Sequence, residues 1–182
     1  MIMNYQNLVS AFTQINARLS LPEYLKVICD TIANENINKE KIDKILLHYQ
    51  VNRSVATVDF LHVIFAYLKI ALEDQKLTDE EKNNIKFLKT LFQIQPGDFY
   101  LHNKLDIEKT IMDQLSQIYE DDFITEAEAE LKSGIQEIFD LTYDQMNDYS
   151  KVKAAVSIQK GVDPKDLDVF FTYEEYFKLR PC

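Results

Sequence analysis

The 182-residue chain has three glycines and four prolines, where average usage of about 7% and 5% gives roughly 13 and nine in this length. Turns that need a positive φ are therefore expected to be scarce, which weighs against sandwiches and barrels built on tight hairpins. Gly97, Gly134 and Gly161 stand far apart, so the clustered glycines of Rossmann and P-loop phosphate cradles are missing. Two cysteines, Cys29 in an apolar run and Cys182 at the last position, form neither a CxxC pair nor a disulfide framework. Cys29 reads as a small buried hydrophobe. The three histidines, His48, His62 and His102, lie in no HExxH context. His62, in an apolar segment, reads as a packed histidine, and the Asp59–His62 pair three residues apart meets no convincing nucleophile. The stretch from Met1 to Phe12 has no basic segment followed by an apolar one, so the default expectation is a cytoplasmic setting. The most apolar segment, Phe60 to Leu68, is bounded by Asp59 and Lys69. It falls short of the about 20 residues a membrane span needs and is expected as a buried helix, not a transmembrane one.

Negative charge is present in excess. Twenty Lys and Arg face 30 Asp and Glu, a net charge of −10, which repels a phosphate backbone. The best basic stripe, Lys82, Lys86 and Lys89, carries no arginine and reads as a solvated helix face, so no nucleic-acid partner is expected. Hydrophobic residues make up 46% of the chain, with 11 Phe and 10 Tyr, enough for a core. Their spacing is helical almost throughout. Leu8, Phe12, Ile15 and Leu19 mark one helix, and Leu25, Ile28 and Ile32 another opened by Pro22. Ile42, Ile45, Leu46 and Tyr49 mark a third. A central helix is expected over Val55 to Leu72, capped by Ser54. The next carries Ile85, Leu88, Leu91 and Phe92 and is stopped by Pro96-Gly97. Further helices are expected over Leu105 to Tyr119, Glu126 to Phe139 and Tyr149 to Gln159, the last ended by Gly161. The segment from Phe170 to Phe177 reads as a short aromatic tail. The fold class is all-α, a bundle of about seven to nine helices built from repeated antiparallel pairs around a buried central helix. One domain is expected over 1–160, with a tail or linker over 161–182.

A repeat runs through this pattern. Shifting the chain by 47 residues lays Asp74-Gln75-Lys76-Leu77-Thr78-Asp79-Glu80-Glu81 on Asp121-Asp122-Phe123-Ile124-Thr125-Glu126-Ala127-Glu128. Leu88, Leu91, Phe92 and Ile94 then fall on Ile135, Ile138, Phe139 and Leu141, and Phe87 on Gly134. A weaker copy begins Asn34-Glu35-Asn36-Ile37-Asn38. Thr78-x-x-Glu81 and Thr125-x-x-Glu128 have the form of capping boxes, with Leu77 and Ile124 placed as hydrophobic staples. Asn38 is expected to cap without the glutamate. Asp74 and the Asp121-Asp122 pair each follow a helix end, where the macrodipole disfavours a carboxylate. Two explanations stand side by side. The aspartates order the turn, or they supply oxygens to a hard cation, calcium or magnesium, together with Glu81 or Glu128. An EF-hand is excluded, because Lys76 and Phe123 occupy the third loop positions and neither loop has a glycine.

The acidic residue after a helix, the apolar residue three further on and the Glu opening the next helix resemble the tellurite-resistance B (TerB-like) family over roughly residues 20–150. Its loops often read Asp-Gly-x-Ile-x-x-x-Glu. The first acid falls on Asp74 and Asp121, the apolar anchor on Leu77 and Ile124, and the closing acid on Glu81 and Glu128, whereas Gln75 and Asp122 stand where glycine is usual. The resemblance implies an intracellular, all-helical, non-enzymatic module of stress-response or membrane-associated assemblies, binding a divalent metal through Asp74, Glu81, Asp121, Asp122 and Glu128. The alternative is a regulatory or interaction domain cut from a larger protein, docking a protein partner through its acidic face or aromatic tail. An enzyme with scattered catalytic residues is a third reading.

Overall fold

Apolar residues at three- and four-residue steps build helices wherever they occur in this chain. A computed structural model describes residues 6–34 and 37–180, which form nine α-helices, one 3-10 turn and no strand. The helices are α1 (Gln6–Arg18), α2 (Glu23–Asn34), α3 (Lys39–His48), α4 (Arg53–Ala71), α5 (Asp79–Phe92), α6 (Asp98–Ile118), α7 (Glu126–Ile138), α8 (Tyr143–Gln159) and α9 (Tyr173–Leu179), with the 3-10 turn at Pro164–Leu167. The protein is all-α, as its periodicity requires. Expectations for Met1 to Tyr5, for Glu35-Asn36 in the weakest repeat loop and for Pro181-Cys182 lie outside the described residues.

The chain forms two compact units, Met1–Asp98 and Phe99–Cys182, where the sequence is expected to form one domain over 1–160. In the first unit α1 packs on α2 and α4, α2 on α3, and α4 on α5. Phe60, Leu61, Val63, Ile64, Phe65, Tyr67 and Leu68 of α4 are buried. Phe60 stacks on Phe92 with ring centroids 4.2 Å apart, and the buried Asn84 amide donates to the Tyr67 hydroxyl at 2.9 Å. By length and composition α4 would reach across a membrane, but half of its apolar window is buried inside the protein. It is the core helix of its unit. Cys29 is fully buried there, and burial pushes its thiol up to about 12.

Several helix ends differ from expectation. Asn52 caps α4 in place of Ser54, its side chain accepting the Ser54 amide at 3.1 Å. α5 stops at Phe92, before Pro96-Gly97, because Gln93 turns left-handed (φ 58°). The Ile94 amide then donates to the Lys89 carbonyl and the Gln93 amide to that of Thr90, the paired bonds of a Schellman stop. Gln50 and Val51 close α3 in this way, Asp140 and Leu141 close α7, and Gly161 (φ 100°) and Val162 close α8. Left-handed turns are thus not scarce. Gln50, Gln75, Gln93, Asp122, Asp140 and Asp168 all have positive φ, the chain placing Gln and Asp where glycine is the usual choice. His62 is exposed rather than packed, and Asp59 accepts the Tyr24 hydroxyl proton instead of pairing with it.

α6, which belongs to the second unit from Phe99 on, begins at Asp98, seven residues before the expected Leu105, and bends at Asn103 (φ −132°, ψ 26°). Leu105 is 82% exposed, and the buried face carries Phe99, Ile107, Ile111, Leu115 and Ile118. Tyr100 of α6 meets Tyr149 of α8 at 2.8 Å between hydroxyls, and Tyr149 donates to Glu108 at 3.2 Å. Residues 161–180 fold onto this unit. Asn147 and Phe170 exchange two hydrogen bonds at 2.9 and 2.8 Å, the Ile124 amide donates to the Asp166 carbonyl, and Lys151 pairs with Glu175 at 2.9 Å.

Candidate functional site

The two strongest repeat loops, residues 72–78 and 119–125, share several hydrogen bonds at equivalent positions. Asp74 accepts the Lys76 amide at 3.1 Å, and Asp121 accepts the Phe123 amide at 3.2 Å. Each is an Asx turn, the side chain standing in for a backbone carbonyl. The next residue is left-handed in both, Gln75 at φ 59° and Asp122 at φ 62°. Before them the Glu73 amide donates to Ile70 and the Glu120 amide to Gln117. The expected capping boxes are formed. Glu81 receives the Thr78 amide and hydroxyl at 2.8 and 2.7 Å, and Glu128 receives those of Thr125 at the same distances. Asn38 caps α3 by accepting the Lys41 amide at 2.9 Å.

Asp122 departs from this symmetry. Its carboxylate accepts the hydroxyl of Ser157 in α8 and lies 3.1 Å from Lys160, the residue that caps the end of α8. These contacts, the hydroxyl above all, hold it below the usual carboxylate range. All five residues proposed as metal ligands therefore have oxygens turned to nearby donors. Asp74, Asp121, Glu81 and Glu128 face amides of their own loops, and Asp122 faces a hydroxyl and an ammonium. Among the described residues no group of three or more His, Cys, Asp or Glu is arranged to hold a metal ion. A calcium or magnesium site needs several oxygens converging on one point.

Sequence reasoning missed Lys132. It occupies the repeat position where α5 has Ile85, a core residue 1% exposed. Its ammonium donates to the Asp168 carbonyl and pairs with the Asp168 carboxylate at 2.9 Å, with the side chain 11% exposed. Lys132 and Asp168 line a cavity of about 230 Å³ between α7 and α8, together with Gln136 and Met146. Tyr119, before α7, is 6% exposed, with its hydroxyl beside Ser150. Burial pushes that phenol up to about 12. The signal for Lys132 was a charge breaking an apolar repeat register. Also missed were the capping boxes Thr142-x-x-Gln145 and Thr172-x-x-Glu175, which open α8 and α9.

Charge separates the two units. Residues 99–182 hold 18 of the 30 Asp and Glu and nine of the 20 Lys and Arg, a net charge of −9. Residues 1–98 hold the other 12 and 11, a net charge of −1. The acidic unit also presents α9, none of whose residues is buried, with Tyr173 79% and Phe177 57% exposed. Architecture defines the class: an all-α protein of repeated helix–loop–helix units joined by capped acidic turns. Comparison of the chain with family models, curated proteins and solved structures finds no match.

Proposed function

We propose that this chain is a helical interaction module of TerB-like build that docks another protein through its second, acidic unit. The left-handed backbone at Gln75 and Asp122, the positions where the TerB-like loop carries glycine, supports the family reading. The observation that carries the functional reading is the charge division, −9 against −1, between units of similar length. Such a field steers a basic partner toward one unit and repels nucleic acid and anionic lipid from it. The loop carboxylates serve the helix starts first and add to this field second. Site-specific photocrosslinking in the native host tests the proposal. Crosslinkers at exposed Phe123 and Tyr173 of the second unit are expected to trap one recurring protein, and crosslinkers at exposed Leu47 and Val55 of the first are expected not to. Equal trapping from both units, or none from the second, would overturn it.

A further inference from the structure

We infer that the cavity between α7 and α8 binds a free α-amino acid with an apolar side chain, of the size of leucine or methionine. This goes beyond the docking reading and does not depend on it, since it concerns one cavity rather than the field of the unit. In the 47-residue repeat the cavity residues Ala129, Ser133 and Gln136 of α7 stand where α5 has Lys82, Lys86 and Lys89, and Lys132 stands at Ile85. Three long side chains thus give way to shorter ones on the face that meets Tyr143 and Met146 of α8. The cavity measures about 230 Å³; an engineered apolar cavity of about 150 Å³ holds one benzene, which scales to roughly nine non-hydrogen atoms here.

The ion pair sets the class of ligand. Lys132 and Asp168 both line the cavity, 2.9 Å apart, and together carry no net charge. A ligand with a net charge would leave that charge uncompensated beside a balanced pair, which is costly where water is partly excluded. A molecule carrying both signs avoids the cost. The lysine side chain is 11% exposed and the aspartate 63%, so the cation is the more deeply buried partner. An ammonium has three donors. Two of them go to the Asp168 carbonyl and carboxylate Oδ2, leaving one for an incoming carboxylate oxygen, while Asp168 Oδ1 is left for an incoming ammonium. An α-amino acid carries those two groups on one carbon, close enough to serve an adjacent Lys and Asp together. Its side chain then meets Met146, 1% exposed, whose flexible thioether adapts to apolar shapes. The Ser133 hydroxyl, which makes no hydrogen bond among the described residues, adds a further polar group to the lining.

The test titrates the whole chain with L-leucine, L-methionine, N-acetyl-L-leucine, which lacks the ammonium, L-leucinamide, which lacks the carboxylate, and the uncharged isovaleramide. Calorimetry reads affinity, and nuclear magnetic resonance reads backbone amides and the Met146 methyl. Leucine or methionine is expected to bind saturably, at least tenfold tighter than each of the three analogues, and to shift the Met146 methyl with amides of α7, α8 and residues 166–170. Ala129→Met restores a long side chain where α5 has Lys82, and Ser133→Met does so where α5 has Lys86. Each is expected to weaken binding at least tenfold while keeping the helical circular dichroism, and the second stands in should the first fail to fold. No saturable binding of either amino acid would overturn the site, as would shifts confined to other elements or binding that persists in a folded filling variant. Equal or tighter binding of any of the three analogues would overturn the zwitterion as its ligand.

Discussion

Placing glycine at Gln75 and at Asp122 makes the same change at equivalent repeat positions, and the expected effects have opposite signs. Both residues are left-handed, at φ 59° and 62°. That conformation costs a side-chain-bearing residue roughly 1–2 kcal/mol, and the extra freedom glycine has in the unfolded chain returns about 0.5–1 kcal/mol of this. Gln75 is exposed, and its side chain makes no hydrogen bond among the described residues. Gln75→Gly is therefore expected to stabilise the chain by about 0.5–1 kcal/mol. With a urea slope of about 2 kcal/mol/M, the midpoint would rise by about 0.25–0.5 M. Asp122→Gly relieves a similar strain but removes the acceptor of Ser157 and the partner of Lys160, so it is expected to lower the midpoint. Urea unfolding followed by circular dichroism reads the net change. Hydrogen exchange locates it, slower in α5 for the first variant and faster in α7 for the second. Shifts of the same sign at both positions would refute the assignment of Asp122 as a tether to α8.

Removing a cap isolates one bond. Thr125→Ala is expected to cost about 1 kcal/mol, seen as a lower denaturation midpoint. Lys132→Ala takes a charged donor from the Asp168 carbonyl and is expected to cost about 1.5–3 kcal/mol, with amide exchange accelerating first in residues 164–170. Glu175 receives the Thr172 amide and the Lys151 ammonium, which hold its carboxyl at about 2, against about 4.3 in an unfolded chain. Because the folded value is the lower one, its contribution is complete above pH 4.3 and fades as pH falls toward about 2. A carbon-detected titration of Glu175 with a midpoint near 4.3 would refute the bridge.

Helices and caps were legible in the sequence because both are written locally. Apolar steps of three and four residues located α1 to α5 and α7, and two Thr-x-x-Glu boxes fixed the starts of α5 and α7. The start of α8 was hidden because its buried face includes Asn147, Ser150 and Ser157, which carry no apolar period. The bend at Asn103 broke the register of α6 and hid its first turn. The end of α5 was misjudged because Gln93 adopts a conformation that glycine usually announces. The spacing of Asp74, Glu81, Asp121, Asp122 and Glu128 left open whether they order turns or bind a cation, since both uses place carboxylates at helix junctions. Three-dimensional partners such as Ser157 for Asp122, at a separation of 35 residues, are not legible in spacing. Lys132 and Asp168, 36 residues apart, were beyond local pattern for the same reason.

We propose that the acidic loops hold helix junctions together through their own amide, hydroxyl and ammonium donors rather than through a bound ion. Calorimetric titration of the chain with calcium, magnesium, manganese and zinc, paired with melting curves in matched sodium chloride, tests it most directly. The predicted result is no saturable heat and a midpoint that follows ionic strength alone. A saturable heat with a raised midpoint, both lost in the Asp121→Asn, Asp122→Asn double variant, would contradict it.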